Sequence, residues 1–177
     1  MRTVAHIVLA ALLVVAAMMA AGGAYVMSTG LKAQPEPGAM ETRVARTIRS
    51  FAIPRTAKAR SNPVGTSAEQ LKAGLEHFAR YCAMCHDNDG SGQRAAIGRG
   101  LFPKPPDMRA AATQRLTDGE IFYVIENGIR FTGMPAFGTG KPDPAGEKLA
   151  WQLVRFIRHL PRLTPDEIDW MKSLNPL

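Results

Sequence analysis

From Thr3 to Leu31 the chain carries no charged side chain other than a protonatable His6, and Ile7 to Met27 is an unbroken run of 21 residues of Ala, Leu, Val, Ile, Met and Gly with one Tyr. At about 1.5 Å per residue such a helix crosses a hydrocarbon core of about 30 Å. It lacks the polar face of a helix packed on a soluble core. Two readings remain for residues 1–31. One is a retained transmembrane anchor. The other is a secretory signal peptide, with Arg2 as its n-region, Ile7 to Ala17 as its apolar stretch and Ala20 to Ala24 as its cleavage region. The length of the run favours the anchor.

The pattern then becomes irregular. Gln34 to Val64 is interrupted by Pro35, Pro37, Pro54 and Pro63, and its apolar residues are sparse, so residues 32–64 read as a basic, proline-containing linker. Within it, Val44, Ile48 and Phe51 recur at i, i+4 and i+7, which fits a solvated spacer or a short basic amphipathic helix lying on lipid.

After Asn62 the periodicity is helical. Ser67 with Gln70 predicts a capped start for a helix carrying Leu71, Leu75, Phe78 and Ala79. Thr117 with Glu120 opens a second helix through Ile121, Val124 and Ile125, and Gly128 supplies a left-handed stop. A third runs from about Ala145 to Leu160, with Leu149, Leu153, Phe156, Ile157 and Leu160 as its stripe and Pro161 as its end. Thr164, Pro165 and Glu167 open a last one to about Leu174. No alternating strand pattern and no internal repeat is present. The Gly- and Pro-rich stretch from His86 to Ala112 is long enough that something must order it. The reading is an all-α domain at residues 65–161 with a short helical tail at 162–177.

Composition narrows this further. A chain of 177 residues, 46% hydrophobic and 21% charged, fits one globular domain with appendages and excludes a collagen-like or wholly disordered polypeptide. A net charge of +7 raises nucleic acid or an anionic membrane as partners. Counted by segment, residues 1–61 carry +6 and residues 62–177 only +1. A nucleic-acid-binding domain concentrates its charge on the fold, so no nucleic-acid partner is expected. Two cysteines exclude a disulfide scaffold.

Those cysteines stand in Cys82-Ala83-Met84-Cys85-His86, the attachment signature of a c-type haem. Cysteines three apart at a helix end can form thioethers to both vinyl groups of one porphyrin, with the adjacent imidazole under the iron. Zinc would need a second ligand pair, which His77 and His159 do not form. A thioredoxin-like dithiol belongs to a strand-rich fold and needs no following histidine. A haem iron held by His86 takes Met, a second His or nothing as its sixth ligand. Met18, Met19 and Met27 lie in the apolar run, Met40 in the linker, Met84 inside the motif and Met171 in the last helix, as packing. Met134 remains, in a loop after a helix end where Gly133 and Pro135 can fix its thioether. Met108 is the weaker alternative. His77 reads as a packing residue, and His159 as a partner of its helix C-terminus.

Residues 66–161 resemble a class I c-type cytochrome of the short bacterial type. The resemblance rests on Gly74, Phe78 and Cys82 at four-residue steps into CAMCH; on LFPKPPDM at Leu101 to Met108; on ENG followed by GMPAF at Glu126 to Phe137; and on WQLVRFIRHL from Trp151. It implies an all-α fold around one covalent haem c, in which the helix of Gly74 and Phe78 crosses the C-terminal helix near Phe156. It also implies iron ligation by His86 and Met134, with the proline-rich loop flanking His86. Arg94, Arg99 and Lys104 are near enough to this region to be suspects for binding the propionates. Haem is attached to such motifs on the outer face of the bacterial inner membrane. The domain is therefore expected in the periplasm, either anchored or soluble after signal cleavage. This runs against the bias of Lys32, Arg43 and Arg46, which by charge alone would keep that side cytoplasmic.

With both axial positions filled, the expected role is that of an electron carrier rather than an enzyme. It would dock redox partner proteins at its haem edge, with the membrane as a partner through the N-terminal helix and no small-molecule substrate. Two alternatives differ in class: a haem subunit of a larger membrane dehydrogenase or oxidase, and a peroxidase or gas-binding haem protein in which Met134 leaves the iron.

Overall fold

The computed structural model describes residues 2–175; Met1, Pro176 and Leu177, at the tips of the expected anchor and tail, lie outside the described residues. The chain forms two compact units, Met1–Ala33 and Gln34–Leu177. The first is a single helix, α1 (Arg2–Thr29), none of whose residues is buried; it is 28 residues long, with a mean hydropathy of 2.5 over an 18-residue window, long and apolar enough to cross a membrane.

The second unit is helical throughout, with no strand among the described residues. Its elements are α2 (Ala39–Ala52), α3 (Arg55–Lys58), α4 (Ala68–His77), a π-helical turn (Phe78–Cys82) running into α5 (Ala83–His86), α6 (Ala96–Arg99), α7 (Ala111–Gln114), α8 (Asp118–Asn127), α9 (Pro144–His159), a 3₁₀ turn (Leu160–Arg162) and α10 (Pro165–Leu174). The capping signals are satisfied in place. Ser67 accepts the Gln70 N–H, Thr117 and Glu120 cap α8 reciprocally, and Thr164 and Glu167 do the same for α10. Each cap pairs donors that a helix start leaves orphaned.

The core forms where α4 and α9 cross, as the resemblance implies. Phe78 and Phe156 are fully buried with ring centroids 5.1 Å apart, and burial of side chains this size stabilises by about 2 to 3 kcal/mol each. Leu75, Ile121, Ile125, Trp151, Leu153, Val154 and Met171 belong to the same cluster, and Met171 is fully buried as packing. An unbroken α-helix would line up Gly74, Phe78 and Cys82. The backbone instead takes an i→i+5 bond from Ala83 N–H to Phe78 O, so Cys82 is turned off that line.

The expected linker is ordered in its second half. Ile53 is buried, and α3 packs on the start of α8. Thr117 Oγ1 donates to Lys58 O at 2.9 Å, Lys58 Nζ pairs with Glu120 at 3.4 Å, and Asn62 Nδ2 donates to Trp151 O at 2.9 Å. The Arg60 guanidinium lies 4.4 Å from the centroid of Phe122, which stacks on Trp151 at 4.1 Å. Residues 53–62 therefore belong to the fold, held by polar anchors rather than by an apolar stripe.

Candidate functional site

The helix that starts at α4 delivers Cys82, Cys85 and His86 at its far end. The π turn leads into one turn of α-helix, and Asp87, with φ of 61°, turns the chain away while its N–H still bonds Ala83 O at 2.9 Å. Both cysteines are free and half-buried. Burial, with the neighbouring Cys85, pushes the Cys82 thiol up to about 12, and burial raises Cys85 as well. Neither is a thiolate near neutral pH, the reverse of what a redox-active dithiol requires. His86 is only 8% exposed, and burial lowers its imidazole to about 4 in spite of the adjacent Asp87. The ring is therefore neutral and able to donate a lone pair to a metal. Its buried Nδ1 has no hydrogen-bond partner, a cost that an unpartnered polar atom in a soluble core ordinarily avoids.

The irregular stretch after His86 is ordered by Asp87, a residue that sequence reasoning missed. Its buried Oδ2 accepts from Ser91 Oγ at 2.9 Å, Gln93 N–H at 2.7 Å and Arg94 N–H at 2.8 Å. Gly92 N–H bonds His86 O at 2.9 Å, and Met108 N–H bonds Gly90 O at 2.8 Å, which lays the proline-rich loop against the loop after His86. Gly92 has φ of +67°, and a Cβ there would stand 2.7 Å from Pro105 O. Asp89 pairs with Arg94 at 2.6 Å and Arg109 at 3.1 Å, and Arg109 also pairs with Asp107 at 2.9 Å. Burial would raise the Asp89 carboxyl, but bonds from Ser91 and the two arginines outweigh it and hold the group low. The only sequence cue was an aspartate directly after the motif with Ser91 four places on.

Met134 is half-buried in the loop after α8. Gly128 has φ of +64°, as a glycine at that stop should, but with ψ of −168° it leads into extended backbone rather than the left-handed helical well. The returning loop satisfies the end of α8 through Phe137 N–H to Ile125 O at 3.0 Å and Gly138 N–H to Glu126 O at 2.9 Å. Met134 O accepts from Ile129 N–H at 3.1 Å, and its own N–H bonds Thr132 Oγ1 at 3.1 Å. The segment from α6 to Leu101 touches both halves of the site. A Cβ on Gly98 would lie 2.2 Å from Cys85 O, and one on Gly133 would lie 2.6 Å from the Leu101 side chain.

The other candidates have ordinary partners. Met108 packs against the core cluster. His77 packs on Tyr81 with ring centroids 4.7 Å apart and the rings tilted, and His159 bonds Glu167 at 2.9 Å, a carboxylate partner in addition to its helix end. Arg94 is engaged by Asp89, while Arg99 and Lys104 line a cleft of about 520 Å³ with Ser91, Gln93 and Asp107.

Two neutral thiols three residues apart can bond a porphyrin's two vinyl groups, and the neutral buried imidazole beside them can serve as a nitrogen donor to iron; a hard cation would call for carboxylates and carbonyls instead. Residues 69–157, just over half of the chain, match the model of the family described as cytochrome c oxidase, cbb3-type, subunit III. No curated protein matches the chain.

Proposed function

The chain belongs to the family of cbb3-type cytochrome c oxidase subunit III, and from that membership we propose that it is a membrane-tethered electron carrier whose second unit holds a single haem c. A c-type cytochrome domain binds haem c covalently, with its iron, and the bound group supplies a one-electron couple. In this reading the Cys82 and Cys85 thiols form the two thioethers, and His86 and Met134 are the axial ligands. The observation that carries it is His86: a buried, neutral imidazole with an unpaired nitrogen, directly after two unionised thiols. Asp87 holds the loop after His86, and Thr132 holds the loop of Met134. Filling both axial positions leaves none for a substrate, which favours a carrier over an enzyme. The tether is α1, with the haem unit on the periplasmic face of a bacterial inner membrane.

The test is the protein purified from its own host membranes. Intact mass is expected to show one added haem and to report whether the residues before Tyr25 remain. The reduced protein is expected to be low-spin and slow to bind carbon monoxide, and Met134→Ala to become high-spin and bind it readily. A low-spin spectrum unchanged in Met134→Ala removes Met134 as ligand. Rapid stoichiometric carbon monoxide binding by the parent protein favours the gas-binding or peroxidase class instead.

The family's description favours a second reading with the same chemistry, in which the chain is the haem subunit of a membrane oxidase. Co-purification of further subunits in mild detergent supports that reading, and a chain that purifies alone supports the separate carrier.

A further inference from the structure

At about 100° per residue, Met40, Val44, Ile48 and Phe51 fall within roughly 80° of one another on α2, Arg43 flanks that stripe, and Arg46 and Arg49 fall on the opposite side. A helix packed on a soluble domain turns its apolar side inward. α2 does the reverse. Met40 is 79% exposed, Val44 51%, Ile48 62% and Phe51 86%. The side facing the domain is polar: Arg49 is half-buried in the field of Glu120, and the Ser50 carbonyl accepts from Lys58 Nζ at 2.6 Å. The apolar stripe is thus left facing solvent.

Charge selects the occupant. Arg43 and Arg46 are exposed, and the one acid of α2, Glu41, is engaged at its own helix start, where it accepts the Gly38 N–H at 3.3 Å. Only nine residues of chain separate α1 from α2, so a bilayer crossed by α1 is within tether reach. We propose that the outward stripe of α2 docks on the surface of an anionic lipid bilayer, with Met40, Val44, Ile48 and Phe51 entering the interface and Arg43 and Arg46 reaching up to the headgroups.

Hydrogen exchange of residues 39–52 tests this on the full chain bound to vesicles of phosphatidylcholine alone or phosphatidylcholine mixed with phosphatidylglycerol. Exchange is expected to slow on the anionic vesicles. Arg43→Gln and Arg46→Gln should each weaken that protection about fivefold, the factor for one basic residue at an anionic surface, and Ile48→Glu should abolish it. A chain that floats with anionic vesicles only would remove α1 as an inserted anchor and still support the docking of α2. Equal exchange on both vesicle types overturns the proposal. So does protection that is independent of lipid and rises with protein concentration, which would show a second copy covering the stripe.

Discussion

Gly74 and Gln152 meet so closely that a Cβ on the glycine would lie 2.2 Å from the Gln152 carbonyl oxygen and 3.0 Å from Cβ of Phe156. The crossing of α4 and α9 therefore has no room for a methyl group, and the obstacle is backbone, which cannot swing aside. Gly74→Ala is expected to cost about 3 kcal/mol, the upper range for overpacking, read from denaturant unfolding of the haem-loaded protein. Gly65→Ala, with nothing within 4 Å of its added carbon, serves as the neutral comparison. Equal stability of the two variants would show that the helices do not meet at this glycine.

Gly119 makes a second such contact, with the segment that the sequence presented as linker. A Cβ there would stand 2.0 Å from Ala57 O and 2.9 Å from Arg60 O. Gly119→Ala is expected to release residues 55–62 while sparing the α4–α9 crossing, at about 1 to 3 kcal/mol. Limited trypsin digestion reads this directly, because Arg55, Lys58 and Arg60 should be cut far sooner in the variant. An unchanged digestion pattern would leave the segment tethered by something else.

Asp89 sets an acid limit. Its folded carboxyl titrates below the ordinary 3.8, so the unfolded chain takes up its proton first. The stability it contributes is complete above about 3.8 and is lost as pH falls through the lower, folded value. Melting temperature followed against pH should fall less steeply at the acid end in Asp89→Asn than in the parent. Parallel curves would mean that Asp89 is not linked to unfolding.

Glu126 carries the opposite sign. Burial, with repulsion from Glu147 and Asp143, raises its carboxyl above the ordinary 4.5 despite the nearby Arg60. The folded state thus holds this proton more tightly, and stability declines as pH rises from 4.5 through the folded value. Glu126→Gln is expected to melt higher than the parent at pH near 7 and to lose that advantage on acidification. A variant that melts lower at neutral pH would show the Arg60 attraction to be dominant.

Much of this was legible because it is local. Ser67, Thr117 and Thr164 announce helix starts three residues from their own partners, and CAMCH concentrates its chemistry in one turn. Arg60, Asn62 and Lys58 gave no such signal. Their partners are Phe122, Trp151 and Thr117, roughly 60 to 90 positions away, and a polar anchor to a distant carbonyl leaves no periodic trace. Asp87 was hidden for a related reason. Nothing in its neighbours predicts a positive φ, yet the three bonds to its carboxylate order the loop that follows His86.

The π turn at Phe78–Cys82 acts as a phase shifter. Adding one residue to a single turn rotates everything beyond it by about 100° relative to the helix before. Gly74 and Phe78 are thereby geared to α9, while the CAMCH turn takes an independent angle from the same continuous rod. Ala83 still closes on the core, while Cys85 and His86 take the bearing that the shifted register gives them. Deleting one residue between Phe78 and Cys82 would lock both segments back into a single register, carrying His86 about a quarter-turn from its present bearing while the α4–α9 crossing stayed intact.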